Sequence, residues 1–178
     1  MDDYGFTHFD SAGNAIMVDV SGKDTTVRTA AAKGEIVMSR KTLAAVLNGE
    51  VDKGDVLGAA RLAGIMAAKQ TALLIPLCHS LIIDACTVDF FPSEIGSRIE
   101  AVCRVKLCGK TGAEMEALTG TSAALLTIYD MCKALDRTMT IGNIRLWEKT
   151  GGKSGRFMRE DHLVPAGTSV PPEGLCLC

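Results

Sequence analysis

A strict alternation followed at once by a long helical run fills the middle of this chain. Over Arg98–Cys108, the residues Arg98, Glu100, Arg104 and Lys106 point one way, and Ile99, Ala101, Cys103, Val105 and Leu107 the other. A period of two makes a strand with one apolar face and one polar face. Directly after it, GKTGAEMEALTGTSAALLTIYDMCKAL (Gly109 to Leu135) reads as a glycine-marked turn and one long helix from about Ala113 to Leu135. A strand and a helix joined this closely must bury their apolar sides against each other or against shared neighbours.

The flanking segments extend the pattern. Val27–Met38 looks like a strand broken at Lys33-Gly34. Ser39 is a good N-cap for a helix over Arg40–Leu47, and Asn48-Gly49 a good stop. Lys53-Gly54-Asp55 is a loop signal, and a helix rich in small residues runs from Asp55 to about Leu73, with Arg61 and Lys69 near one face. Leu81–Phe91 is a strand joined to the alternating one by Pro92–Ser97, and a last strand covers Thr138–Glu148. The order is the split β-α-β-β-α-β pattern, which predicts a ferredoxin-like α+β sandwich: an antiparallel sheet with helices on one face. The sheet's other face is left for solvent or for another subunit. Residues 1–157 are read as one domain with an extended arm at Asn14–Val20, and residues 158–178 as a loose Pro/Gly-rich tail.

Composition narrows the function. At 178 residues and 47% hydrophobic, the chain suits one domain with a sizeable core rather than a disordered segment. Aromatics are 4% and the net charge is −2, which argues against nucleic acid as partner. The strands Leu81–Phe91 and Arg98–Cys108 lack the paired aromatics that stack RNA bases. No apolar run is long enough to span a membrane, and the acidic start MDDYGFTHFD is not a secretory leader. Seven cysteines without a CxxC pair argue against structural zinc and predict a reducing, cytoplasmic setting, or an organelle matrix in a eukaryote. Cys176 and Cys178 are read as tail residues.

The long helix is also the place to look for chemistry. Asp130 and Lys133 interrupt the apolar run Ala123–Leu135, and a charge taken out of water must be paired or used. At ~100° per residue, Glu116, Thr119, Ala123, Thr127, Asp130 and Arg137 share a stripe. For any one member a solvent face is the plain reading. Lys133 lies three residues from Asp130, so the two form a candidate acid/base pair. Glu116 and Asp130 are fourteen residues apart, ~21 Å along a helix, too far to touch one reacting atom. Either the substrate is long or one of them serves a neighbouring subunit's site. Gly109-Lys110-Thr111 and Gly152-Lys153-Ser154 are not P-loops, because the required earlier glycine is Arg104 in one and Trp147 in the other. Pattern alone favours a turn and a mobile loop there. A lone His79 is more often structural than catalytic.

Several motifs in the same order resemble one family. MVDVS at Met17, KGDV at Lys53, AR-AGI-AAK at Ala60, LIPLCH at Leu74, GKTG-EMEALT at Gly109, LTIYDMCKA at Leu126 and GGKSG at Gly151 match the cyclic pyranopterin monophosphate synthases, the molybdenum cofactor biosynthesis protein C family. The resemblance covers about Thr7 to Phe157. It implies a ferredoxin-like fold, a homohexamer built as a trimer of dimers with active sites at subunit interfaces, and no metal or organic cofactor. The implied substrate is (8S)-3′,8-cyclo-7,8-dihydroguanosine 5′-triphosphate, and the implied products are cyclic pyranopterin monophosphate and diphosphate. Asp130, Lys53 and Lys133 fall on the family's catalytic positions. Leu77, Cys78, His79, Met115 and Glu116 match the segments lining the substrate site, and Arg28, Lys69, Glu114 and Lys149 match charged positions around it. Ser80 and Asn143 stand where this family commonly has proline. Lys53→Ala and Asp130→Ala are each expected to abolish turnover, and mixing the two is expected to restore some activity, because one mixed interface regains a complete site. The alternative reading is a non-catalytic ferredoxin-like module that binds a nucleotide or regulates a partner.

Overall fold

The computed structural model describes Phe9 and residues 12–160. Ser39 caps the first helix as its sequence position predicts: its Oγ accepts from the Thr42 amide at 3.1 Å, and Gly49 ends that helix in the left-handed region at φ 70°. The elements follow as β1 (Thr26–Val37), α1 (Arg40–Asn48), α2 (Val56–Lys69), α3 (Thr71–Leu74), β2 (Ala85–Ser93), β3 (Arg98–Gly109), α4 (Glu114–Cys132), β4 (Thr140–Thr150) and β5 (Phe157–Met158). All strand pairs are antiparallel, in the order β2-β3-β1-β4-β5. The strands β2, β3, β1 and β4 with α2 and α4 make the ferredoxin-like sandwich. The helix α1, the single turn α3 and the short β5 are additions to it.

The alternation of β3 holds: Ile99, Ala101, Cys103, Val105 and Leu107 are buried towards the helices. They join two contiguous core clusters, one around Ile36, Leu125 and Ile128, the other around Val88, Ala117 and Ala124. The strand β1 pairs with β3 without a break through Lys33-Gly34. The expected interruption exists only against β4, where the register shifts between Lys33 and Glu35. Gly34 is needed there because a Cβ would lie 2.8 Å from Leu125 Cδ1 and 2.9 Å from Ile144 Cγ1. Beside this irregularity Asn143 has φ 52°, which asparagine tolerates and the proline ring, fixed near −65°, cannot adopt. On the face away from the helices, Lys33 is 4% exposed, with its ammonium 3.6 Å from the Trp147 ring centre and 3.9 Å from Glu100.

The helices α2 and α4 approach closely where both carry glycine. A Cβ on Gly64 would lie 2.9 Å from the Gly120 carbonyl oxygen, and one on Gly120 would lie 2.6 Å from Cys103 Sγ. Alanine would gain about 1 kcal/mol of helix propensity, but the collision has no free space to relax into. Gly120→Ala is therefore expected to destabilise the fold by about 1–2 kcal/mol net. A urea midpoint equal to or above that of the parent chain would contradict this.

Several boundaries differ from the sequence expectation. The first long helix stops at Lys69 rather than Leu73, and Thr71 begins a new turn by donating its hydroxyl to the Ala67 and Ala68 carbonyls. Residues 81–84 are not part of β2; Leu81 and Ile83 instead pack on the second core cluster. The long helix ends at Cys132, so Arg137 lies beyond it and off its stripe. Asp136 accounts for that ending. Its carboxylate accepts from the Ser39 amide at 2.8 Å and from the Thr138 amide and hydroxyl at 2.9 and 2.6 Å. The Thr138 hydroxyl, then the Ser39 and Thr138 amides, hold its pKa at about 2.

Candidate functional site

Polar groups gather at the two ends of α4. At its C-terminal end, Lys53 arrives from the loop between α1 and α2. Gly54 turns that loop at φ 89°, Asp55 caps α2 by accepting from the Gly58 amide at 2.8 Å, and buried Val51 and Val56 anchor both sides. Lys53 Nζ donates to Asp130 Oδ2 and to the Asp130 backbone carbonyl, both at 2.9 Å. Lys133 Nζ donates to Asp130 Oδ1 at 2.7 Å. One carboxylate thus lies between two ammonium groups. Hydrogen bonds from Lys133 and then Lys53, reinforced by their charges, lower the Asp130 pKa to about 2.

The burial that the apolar run suggested is not there in the single chain. The side chains of Asp130, Lys53 and Lys133 are 57, 47 and 54% exposed. The run's apolar residues Leu125, Ile128 and Cys132 face the core, and the charged ones face out. Lys53 and Asp130 also meet within one chain, so Lys53→Ala and Asp130→Ala are the wrong pair for subunit mixing.

At the N-terminal end of α4 a cavity of ≈ 400 Å³ collects most of the other predicted residues. Leu77, Cys78, His79, Glu114, Met115 and Glu116 line it. Glu116 is 4% exposed, and burial pushes its pKa up. The Cys78 thiol is also pushed up, by burial and then by the Glu116 charge. Glu114 accepts from Lys149 Nζ at 2.8 Å. Gly112 leaves room for this, since a Cβ there would lie 1.9 Å from the Glu114 carboxylate. His79 Nε2 donates to the Val18 carbonyl at 2.9 Å, which leaves Nδ1 as the free ring nitrogen. Lys69 lies in an adjoining cleft with Ser80 and shares the wall Leu81–Glu116.

Arg28 stands beside this cavity rather than in its lining. Its Nε donates to the Gly109 carbonyl at 3.0 Å. A Cβ on Gly152, at φ 72°, would lie 2.4 Å from its Nη1. The two glycine-lysine loops singled out in the sequence therefore flank one guanidinium, a juxtaposition that the local pattern gives no means of seeing. Among the described residues, no group of three or more His, Cys, Asp or Glu side chains is placed to hold a metal ion. No helix among them is long and apolar enough to cross a membrane.

Fold and polar centres together define a ferredoxin-like α+β protein with two charged sites on one helix, a carboxylate held by two lysines and an acidic cavity. The MoaC family profile matches residues 17–152. This chain belongs to the MoaC family. The cyclic pyranopterin monophosphate synthase of Clostridium botulinum (strain Alaska E43 / Type E3) is 57% identical over 155 residues, covering 87% of this chain and 98% of that protein. Those of Desulfitobacterium hafniense and Heliobacterium modesticaldum are 57% identical over 157 and 155 residues, covering 96 and 98% of their lengths and 88 and 87% of this chain.

Proposed function

We propose that this chain is a cyclic pyranopterin monophosphate synthase, a phosphorus–oxygen lyase that converts (8S)-3′,8-cyclo-7,8-dihydroguanosine 5′-triphosphate to cyclic pyranopterin monophosphate and diphosphate. Family membership and the relatives' names support the reaction. The carboxylate of Asp130, gripped by Lys53 and Lys133, is the observation that carries the reading to particular residues. With a pKa of about 2, Asp130 is a poor proton acceptor near neutral pH. Its role is to hold two ammonium groups in place, and the lysines carry the proton transfers and meet the phosphate charge.

The cavity end of α4 supplies the other half. Glu116, with its raised pKa, is the carboxyl group better suited to exchange protons. Leu77, Cys78, His79 and Met115 bind the substrate beside it, with Glu114, Lys149, Lys69 and Arg28 as the surrounding charges. Glu116 and Asp130 of one α4 are ~21 Å apart, so a complete site joins the cavity end of one subunit to the lysine end of another. A hexamer built as a trimer of dimers provides such interfaces. No cofactor enters this scheme.

The deciding experiment is to incubate the purified chain with the cyclised nucleotide and measure diphosphate and pterin together. Equimolar release supports the assignment. Binding of the triphosphate without diphosphate release would favour a regulatory module instead.

A further inference from the structure

The chain before β1 folds back over the cavity. Asp19 accepts from the Ser21 amide at 2.8 Å, and the Lys23 amide donates to the Val20 carbonyl at 3.1 Å, which makes a compact turn of residues 19–23. Two side chains from the body of the protein fasten it. His79 Nε2 holds the Val18 carbonyl at 2.9 Å, and Lys110 Nζ holds the Ser21 carbonyl at 2.6 Å. Val18 and Val20 are half-buried in the cavity lining, and Lys23, which also borders it, is exposed like Asp19 and Ser21.

The charge balance of that cavity is uneven. Its lining carries two carboxylates, Glu114 and Glu116, and one lysine, Lys23. Lys149 is spent on Glu114, Lys110 on the strap, and the Arg28 Nε on Gly109. The Lys23 ammonium has no hydrogen bond or ion pair among the described residues. An exposed ammonium without a partner among the described residues, carried at the cavity's rim by a fastened turn, is placed to meet an anion.

We infer that residues 18–23 form a wall of the substrate pocket, and that Lys23 is a further substrate-binding residue that takes a phosphate oxygen. This rests on the function proposed above for the identity of the substrate, but not for the binding of phosphate. The latches explain two otherwise isolated features: His79 positions the strap as well as lining the pocket, and Lys110 of the glycine turn acts on protein backbone rather than on ligand.

The test is a titration of inorganic diphosphate into the full-length chain and its Lys23→Ala and Lys23→Arg variants, with KM measured in parallel. Lys23→Ala is expected to weaken diphosphate binding and raise KM by roughly 10-fold or more, as loss of one charge-assisted hydrogen bond implies. Lys23→Arg should restore most of both, and kcat should change less than KM. Equal diphosphate affinity in the parent and the alanine variant, no measurable binding by the parent, or no rescue by arginine would overturn the inference. Failure of the parent chain to release diphosphate from the cyclised nucleotide would instead remove the proposed activity and leave the binding result standing.

Discussion

Asp130→Ala is expected to lower turnover of the cyclised nucleotide by roughly 10³-fold, the scale that follows when a charged group that organises acid–base partners is removed. Among the described residues the carboxylate links Lys53 and Lys133, which bond it from either side at 2.9 and 2.7 Å. Without it Lys133 loses its carboxylate partner, Lys53 keeps only the backbone carbonyl of residue 130, and the two ammonium groups repel with no negative charge between them. The more conservative Asp130→Asn keeps the shape and should lose nearly as much, because the charge does the holding. The side chain is more than half exposed, so circular dichroism and oligomeric state should be unchanged in both variants. Turnover within about fivefold of the parent would remove Asp130 from the catalytic set.

Subunit mixing should restore activity only for variants taken from opposite ends of α4. His79→Ala damages the cavity end, and Asp130→Ala damages the lysine end. If each site draws one end from each of two subunits, an equimolar mixture regains about one quarter of its sites intact. Lys53→Ala mixed with Asp130→Ala should regain none, because both residues belong to the same end of the same chain. Recovery by the second pair and not the first would mean that Lys53 exchanges its intrachain partner on assembly. No recovery by either pair, after subunit exchange is verified by mass, would place the whole site in one chain.

The sheet and its order were legible because β3 alternates at every position from Arg98 to Leu107 except the buried Val102, and because helix, hairpin and helix follow in the split order. The cap at Ser39 and the stop at Gly49 were legible because capping is local chemistry. The end of α4 was not, because it depends on Asp136 reaching Ser39, ninety-seven residues earlier. Local sequence shows the strap only as an extended arm, since its fasteners His79 and Lys110 are distant in sequence. The pair Asp130–Lys133 came from helical spacing. Lys53 entered only through the family motif, and no periodicity could have brought a loop lysine to a carboxylate seventy-seven residues away. Charge in an apolar run suggested burial, yet the helix solved that conflict by turning its charged residues outward.

The bond from Lys53 to the Asp130 backbone carbonyl gives that lysine a second occupation. Carbonyls in the last turn of a helix lack amide partners, and the aligned peptide dipoles concentrate partial negative charge there. Lys53 and Lys133 together are thus a cationic C-cap for α4, contributed partly from another segment of the chain. A polyanionic substrate that draws these ammonium groups towards its own oxygens would uncap the helix as it binds. Ligand arrival would then be reported at Asp130 and Lys133 as faster amide exchange in the final turn of α4, before any bond is broken.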